Sequence, residues 1–270
     1  MKTTTTRFAL IAFFATAMAL SSCQKEKTNT ALKTNDNNSF QLTDQIVGEV
    51  TGFSDNSGAG KTDGVSCRVV TIDSSNPGAR VMTFDYGAGC QTRRGIIRSG
   101  QMIVNLDQPS ITVPGVHVTI SFNNYVINNN QITGGTTAVN NGYNGNGNLT
   151  FTFNSTIQSV DLTSGATSTA TSNYLYEWLT GSATSTKEDD TYAITGTGSG
   201  TDVSGNNYTE SITTPLIKNK ASYCVPFAVS GVILNQTASQ SDKTTDYGAG
   251  LCDNLAVVTQ NGNSQQIVLQ

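Results

Sequence analysis

Apolar and polar residues alternate with a period of two along much of this chain, and that rhythm admits few folds. In Val116-His117-Val118-Thr119-Ile120-Ser121-Phe122 every second residue is apolar, so a strand there turns one side to a core and the other to water. Leu149-Thr150-Phe151-Thr152-Phe153 repeats the pattern. Between such runs lie Asn128-Asn129-Asn130, Gly134-Gly135 and the stretch NNGYNGNGN from Asn140 to Asn148, residues that tolerate the positive φ of tight hairpin turns. No segment shows a sustained apolar period of 3.6. Only 13% of the 270 residues are charged, and Thr, Ser, Asn and Gly stand where helical domains carry Ala, Leu, Glu and Lys. The expectation is an all-β, antiparallel domain, either a sandwich or a curved meander.

The first 22 residues have the three parts of an export signal: Lys2 and Arg7, the apolar run Phe8 to Leu20, and small residues before a cleavage point. That run is too short to span a bilayer. Residues 23–45, from Cys23 onward, then read as a flexible tether, because Gln24 to Gln45 offers almost nothing apolar to bury. The β domain is expected over 46–270, with a first strand pair near Ile46 to Phe53 and Ser66 to Ile72 around a loop rich in turn formers, Asp55 to Gly64. Loss of residues 1–22 removes Lys2 and Arg7 from 15 basic residues and leaves 13 against 19 acidic. Such a balance argues against nucleic acid as a partner, since phosphate backbones select basic patches.

One motif occurs twice. Asp85-Tyr86-Gly87-Ala88-Gly89-Cys90 is matched by Asp246-Tyr247-Gly248-Ala249-Gly250-Leu251-Cys252, with one residue inserted before the second Cys. Gly100 and Gly262 follow ten positions after each cysteine, and apolar closing strands come next, Met102 to Leu106 and Gln266 to Leu269. Each copy reads as a Gly-rich turn, a strand, a hairpin turn and a returning strand, with Asn261-Gly262 suited to a type I′ turn. Cys67 and Cys224 lie upstream of the two copies. Exported chains meet oxidising conditions, so these four cysteines are expected as disulfides. Three connectivities are open to them; the repeat favours Cys67 with Cys90 and Cys224 with Cys252, each worth about 3 kcal/mol on the chain-entropy model. A four-cysteine zinc site would want C-x-x-C spacing, which is missing.

Leu20-Ser21-Ser22-Cys23 resembles the lipobox of bacterial lipoproteins, whose cysteine is acylated and becomes the new N-terminus. The chain also resembles lipoproteins of the Bacteroidota that join such a signal to a β domain closing on a D-Y-G-x-G-x-C-D-N pattern, here Asp246 to Asn254, then Leu255 to Val258, Asn261-Gly262 and Ile267 to Leu269. The likeness covers about 25 residues plus the signal. It implies a cell-envelope address, a lipid anchor at Cys23 and attachment to the outer membrane, with no catalytic residues to carry over.

Candidate chemistry is sparse. His117 is the single histidine; any Ser-His-Asp site would depend on it, and no G-x-S-x-G elbow supplies a nucleophile. Glycoside hydrolysis needs two carboxyl groups across a cleft, and Glu177, Glu188, Asp189, Asp190, Asp202 and Glu210 are available, but their spacing singles out no pair. Asp246, Asp253 and Asn254 set oxygen ligands among glycines, as calcium loops do. The first copy has Gln91 where the second has Asp253, and Asp at a turn more often accepts from its own backbone. Tyr174, Tyr176 and Trp178 alternate with Leu175, Glu177 and Leu179, which puts three aromatics on one face of a strand. Exposed, they would be a ligand surface for stacking on sugar rings; buried, they are core. The expected function is a membrane-anchored envelope lipoprotein with a structural or ligand-binding β domain, without catalysis, cofactor or metal. Its partners would be the membrane, through the lipid, and a glycan or an envelope protein. The alternatives are a glycan-binding adhesive module and a hydrolase of the glycosidase type.

Overall fold

The structure, a computed structural model, describes residues 39–50, 67–91, 96–184, 188–221, 224, 227–238 and 240–269. The export signal, Cys23 and most of the expected tether lie outside the described residues.

Among the described residues the chain is all-β apart from one helix, α1 (Ser39–Val50). Fourteen strands are described: β1 (Val69–Asp73), β2 (Arg80–Asp85), β3 (Cys90–Gln91), β4 (Ile97–Leu106), β5 (His117–Ile127), β6 (Asn130–Tyr143), β7 (Leu149–Asp161), β8 (Thr167–Thr180), β9 (Thr191–Thr201), β10 (Asn207–Asn219), β11 (Ser230–Thr237), β12 (Lys243–Ala249), β13 (Leu255–Gln260) and β14 (Asn263–Val268). They form one antiparallel meander in chain order, from which only β3 departs to pair with β4. The meander is open, with β1 and β14 at its ends.

Local chemistry accounts for the elements. In β5, Val118 and Ile120 are buried while His117 and Thr119 are exposed; in β7, Leu149, Phe151, Phe153 and Ile157 are buried. Two-residue hairpins turn at Asn128-Asn129, with φ of 45° and 69°, and at Asn261-Gly262, with φ of 54° and 72°, the left-handed pair that a type I′ turn requires. Both disulfides pair within a copy of the repeat, Cys67 with Cys90 and Cys224 with Cys252.

Helix α1 corrects two expectations. The tether was expected to run to Gln45, and a first strand from Ile46 to Phe53; instead residues 39–45 and 46–50 of these segments form α1, and the rest of both lies outside the described residues. Phe40, Thr43, Ile46, Val47 and Val50 recur every three or four positions and are all buried. So short an apolar stripe is diluted by Ser, Gln, Asp and Gly, and it forms a helix because the sheet covers it. The sheet supplies a trough of small residues: Ala170 and Ser172 are buried on β8, and a Cβ on Gly198 of β9 would lie 1.8 Å from Ser39 Oγ.

The sheet also curls around the helix. Glu49 contacts Arg68, just before β1, while Ser39 contacts Glu210 on β10. Eight inter-strand steps separate β1 from β10, about 38 Å if flat, whereas ten helical residues span about 15 Å. The side chains cannot bridge that difference, so the strands close in on α1.

Candidate functional site

The densest polar chemistry lies under α1, where three sets of contacts join helix to sheet. At the N-terminal end, Glu210 Oε1 accepts from Ser39 Oγ at 3.0 Å, the Phe40 backbone N–H at 3.0 Å and Tyr174 OH at 2.5 Å. The first turn of the helix carries no acid of its own; a strand carboxylate supplies the negative charge that its N–H groups and dipole favour. Glu210 is only 2% exposed and its Oε2 has no hydrogen-bond partner. Burial raises its pKa above the ordinary value of 4.5, against the Tyr174, Ser39 and Phe40 hydrogen bonds.

Midway along, Asp44 pairs with Lys218 of β10, and Thr43 Oγ1 meets Ser172 Oγ at 2.9 Å. At the C-terminal end, Glu49 takes salt bridges from Arg68 and Arg98 and a hydrogen bond from Tyr86 OH at 2.9 Å. Arg98 also donates to Tyr125 OH and, at 3.3 Å, to the Gln45 carbonyl. Burial works against the Arg98 charge, but Tyr125 and Glu49 outweigh it and hold the guanidinium protonated. Burial, then the nearby Glu49 charge, pushes the Tyr86 phenol up. Sequence reasoning missed this seam. Its one local signal was the three-to-four spacing from Phe40 to Val50; the basic partners lie on distant strands that no pattern connects to the helix.

The aromatic stripe is core. Tyr174, Tyr176 and Trp178 are 0%, 3% and 3% exposed, so the candidate ligand surface has no open face on which a sugar could stack. Trp178 stacks on Tyr192 at 5.4 Å, and Tyr176 meets Phe153 edge-on at 5.0 Å. The even residues of β8 point inward and take the large apolar areas with them, whereas Leu175, on the other face, is 39% exposed.

The carboxylates do not converge. Glu177 accepts from Asn144 at 2.7 Å and Asn148 at 2.8 Å and braces a turn. Asp202 holds its own loop through Ser204 and Asn206, and Glu188 and Asp189 are exposed. Asp190 and Glu210 are the fully buried acids among the described residues. Asp190 accepts from Trp178 Nε1 at 3.2 Å and precedes β9, while Glu210 sits opposite Gly198 near the far end of that strand. Eight residues of strand put roughly 26 Å between them, against the roughly 5 to 9.5 Å that glycosidases use. His117 is exposed on β5.

At the second Asp-Tyr-Gly turn a shallow depression of about 140 Å³ is lined by Asp246, Leu251, Asp253, Leu255, Val257 and Gln266, among others. Asp246 Oδ1 accepts from the Gly248 N–H at 2.8 Å and Asp253 Oδ1 from the Leu255 N–H at 3.1 Å. Each acid thus closes an Asx turn, the structural role that such residues take at turns. No group of three or more His, Cys, Asp or Glu among the described residues could hold a metal.

No family model, curated protein or solved structure matches the chain.

Proposed function

We propose that this chain is a cell-envelope lipoprotein, held at the outer membrane by acyl groups on Cys23, whose β domain is a structural or ligand-binding module and performs no catalysis. The observation that carries the reading is Leu20-Ser21-Ser22-Cys23 at the end of an export signal. In the sequence, the polar residues 24–38 separate Cys23 from α1, whose first residue is Ser39. The two disulfides agree with an oxidising compartment outside the cytoplasm. In a lipid-anchored protein each buried methylene adds about 0.8 kcal/mol, and more than one chain makes the attachment stable. The partners are the membrane and an envelope component; the acidic balance disfavours nucleic acid.

The test is mass spectrometry of the mature N-terminal peptide together with membrane fractionation. Cys23 is expected to carry acyl groups, and Cys23→Ala should release the protein from membranes or leave it unprocessed. An unmodified Cys23 in the mature, membrane-bound protein would sink the proposal.

A further inference from the structure

Of the two ends of the open sheet, β14 has the plainer edge. It pairs with β13 alone among the described residues. Through the two-residue turn Asn261-Gly262, Gln260 and Asn263 face each other as the first pair of the ladder, and alternation then turns Gln265 and Ile267 toward β13. The Leu269 N–H donates to the Asn254 carbonyl at 2.7 Å, which continues the same phase. The backbone N–H and C=O of Ser264, Gln266 and Val268 therefore point away from β13, and no described residue pairs with them.

Natural sheets blunt such an edge with charge, proline or a bulge. Asn263–Val268 reads NSQQIV, with no charged residue and no proline, and its register with β13 is unbroken. Beside it the outward side chains are partly apolar: Val257 and Val268 are each 37% exposed and Leu251 is 71% exposed. Leu251, Val257 and Gln266 also line the shallow depression. A row of unpaired backbone groups next to an apolar hollow is what strand addition uses, the backbone giving affinity and the hollow taking a side chain.

We infer that β14 is a docking edge and that its occupant is β14 of a second copy of this chain, paired antiparallel about Gln266. The three outward residues are symmetric about that position. Gln266 then faces its own counterpart and Ser264 faces Val268 in both directions, so every outward group exchanges its bonds. A strand that pairs with itself must not bring like charges together, and β14, having none, meets that condition. The arrangement closes at two copies, because the two-fold axis uses up β14 in both and leaves the unlike edge β1 outermost. This inference does not depend on the lipid anchor.

Sedimentation equilibrium over rising concentration, combined with two substitutions, tests it. The purified protein is expected to move from a one-chain to a two-chain mass. Gln266→Pro removes an N–H that points outward and costs no bond to β13, so it should hold the protein at one chain with the Tm that the parent shows when dilute enough to be one chain. Gln266→Cys places two thiols across the axis, where the Cα separation of a hydrogen-bonded antiparallel pair, about 5.5 Å, lies within disulfide range. Its covalent dimer should form at least tenfold faster than that of Val203→Cys, which lies on a remote turn at 53% exposure, with the link assigned by peptide mapping. A one-chain mass at every concentration, a dimer that survives Gln266→Pro, or equal crosslinking by the two cysteine variants would overturn the assignment.

Discussion

The two Asp-Tyr-Gly turns begin alike and end differently. In both, the aspartate accepts from the N–H two residues on at 2.8 Å, Asp85 from Gly87 and Asp246 from Gly248, and that glycine has positive φ, 58° and 90°. In both the tyrosine is buried, Tyr86 at 1% and Tyr247 at 4%, and the following cysteine bonds to one upstream. The strands that follow then diverge. From Cys90 the described residues of β3, Cys90–Gln91, pair with β4, and β2 pairs with that same strand, Asp85 opposite Gln101. After Cys252 the strand runs six residues, Leu255–Gln260, and pairs with both β12 and β14. The surroundings diverge too: Tyr86 lies under α1 with its OH on Glu49 and the Arg98 guanidinium 5.9 Å from its ring centre, whereas the second turn borders the open depression with Leu251 exposed. A turn motif specifies its own hydrogen bonds; what covers it is decided by the strands around it.

The largest test of this contrast is Glu49→Ala. It strips the acid from Arg68, Arg98 and Tyr86, removing the Glu49 partner of two buried cations, and should cost about 3 to 5 kcal/mol in urea unfolding followed by circular dichroism. A loss below about 1 kcal/mol would mean that the helix-covered end is no more tightly held than the open one. Removing either disulfide by paired Cys→Ser changes should cost about 3 kcal/mol. The two costs should be nearly equal, because the bridges span 23 and 28 residues and loop entropy grows only logarithmically. A large inequality would locate additional strain or residual structure at one end.

The pH dependence under the helix has a definite sign. Glu210 binds its proton more tightly folded than unfolded, so its contribution to stability is fully present below the ordinary carboxyl pKa of 4.5 and is lost as pH rises through the raised folded value. Glu210→Gln keeps an acceptor for Ser39 and Phe40 and should abolish that decline, so the variant gains on the parent as pH rises above about 4.5. Unfolding curves for both proteins across pH 4 to 8 that run parallel would refute it. Half-buried Asp85 works in the opposite direction, its pKa lowered by Gln101 and by the Gly87 N–H; its stabilisation fades as pH falls below 3.8. The smallest effect is expected at the open end, where Leu251→Ala should change stability by no more than about 0.5 kcal/mol, as thermal unfolding would check.

What was legible in the sequence was local. Alternation marked Val118, Ile120, Phe151 and Phe153 as inward residues, Asn-Gly and Asn-Asn marked hairpins, and the duplicated motif indicated which cysteines pair. Period, turn type and loop closure each depend on residues within about thirty positions of one another, so one sequence suffices to read them. The helix and its polar seam were not legible, because Ser39 meets Tyr174 across 135 positions and Glu210 across 171. Only the curled sheet brings Arg68, Arg98, Lys218 and Glu210 to one short helix, and only that burial makes a weakly amphipathic segment, without an acid in its first turn or a base in its last, helical instead of a continuation of the tether. The same curl decided the fate of Tyr174, Tyr176 and Trp178. Alternation put them on one face, and the side toward which the sheet closes made that face a core instead of a surface.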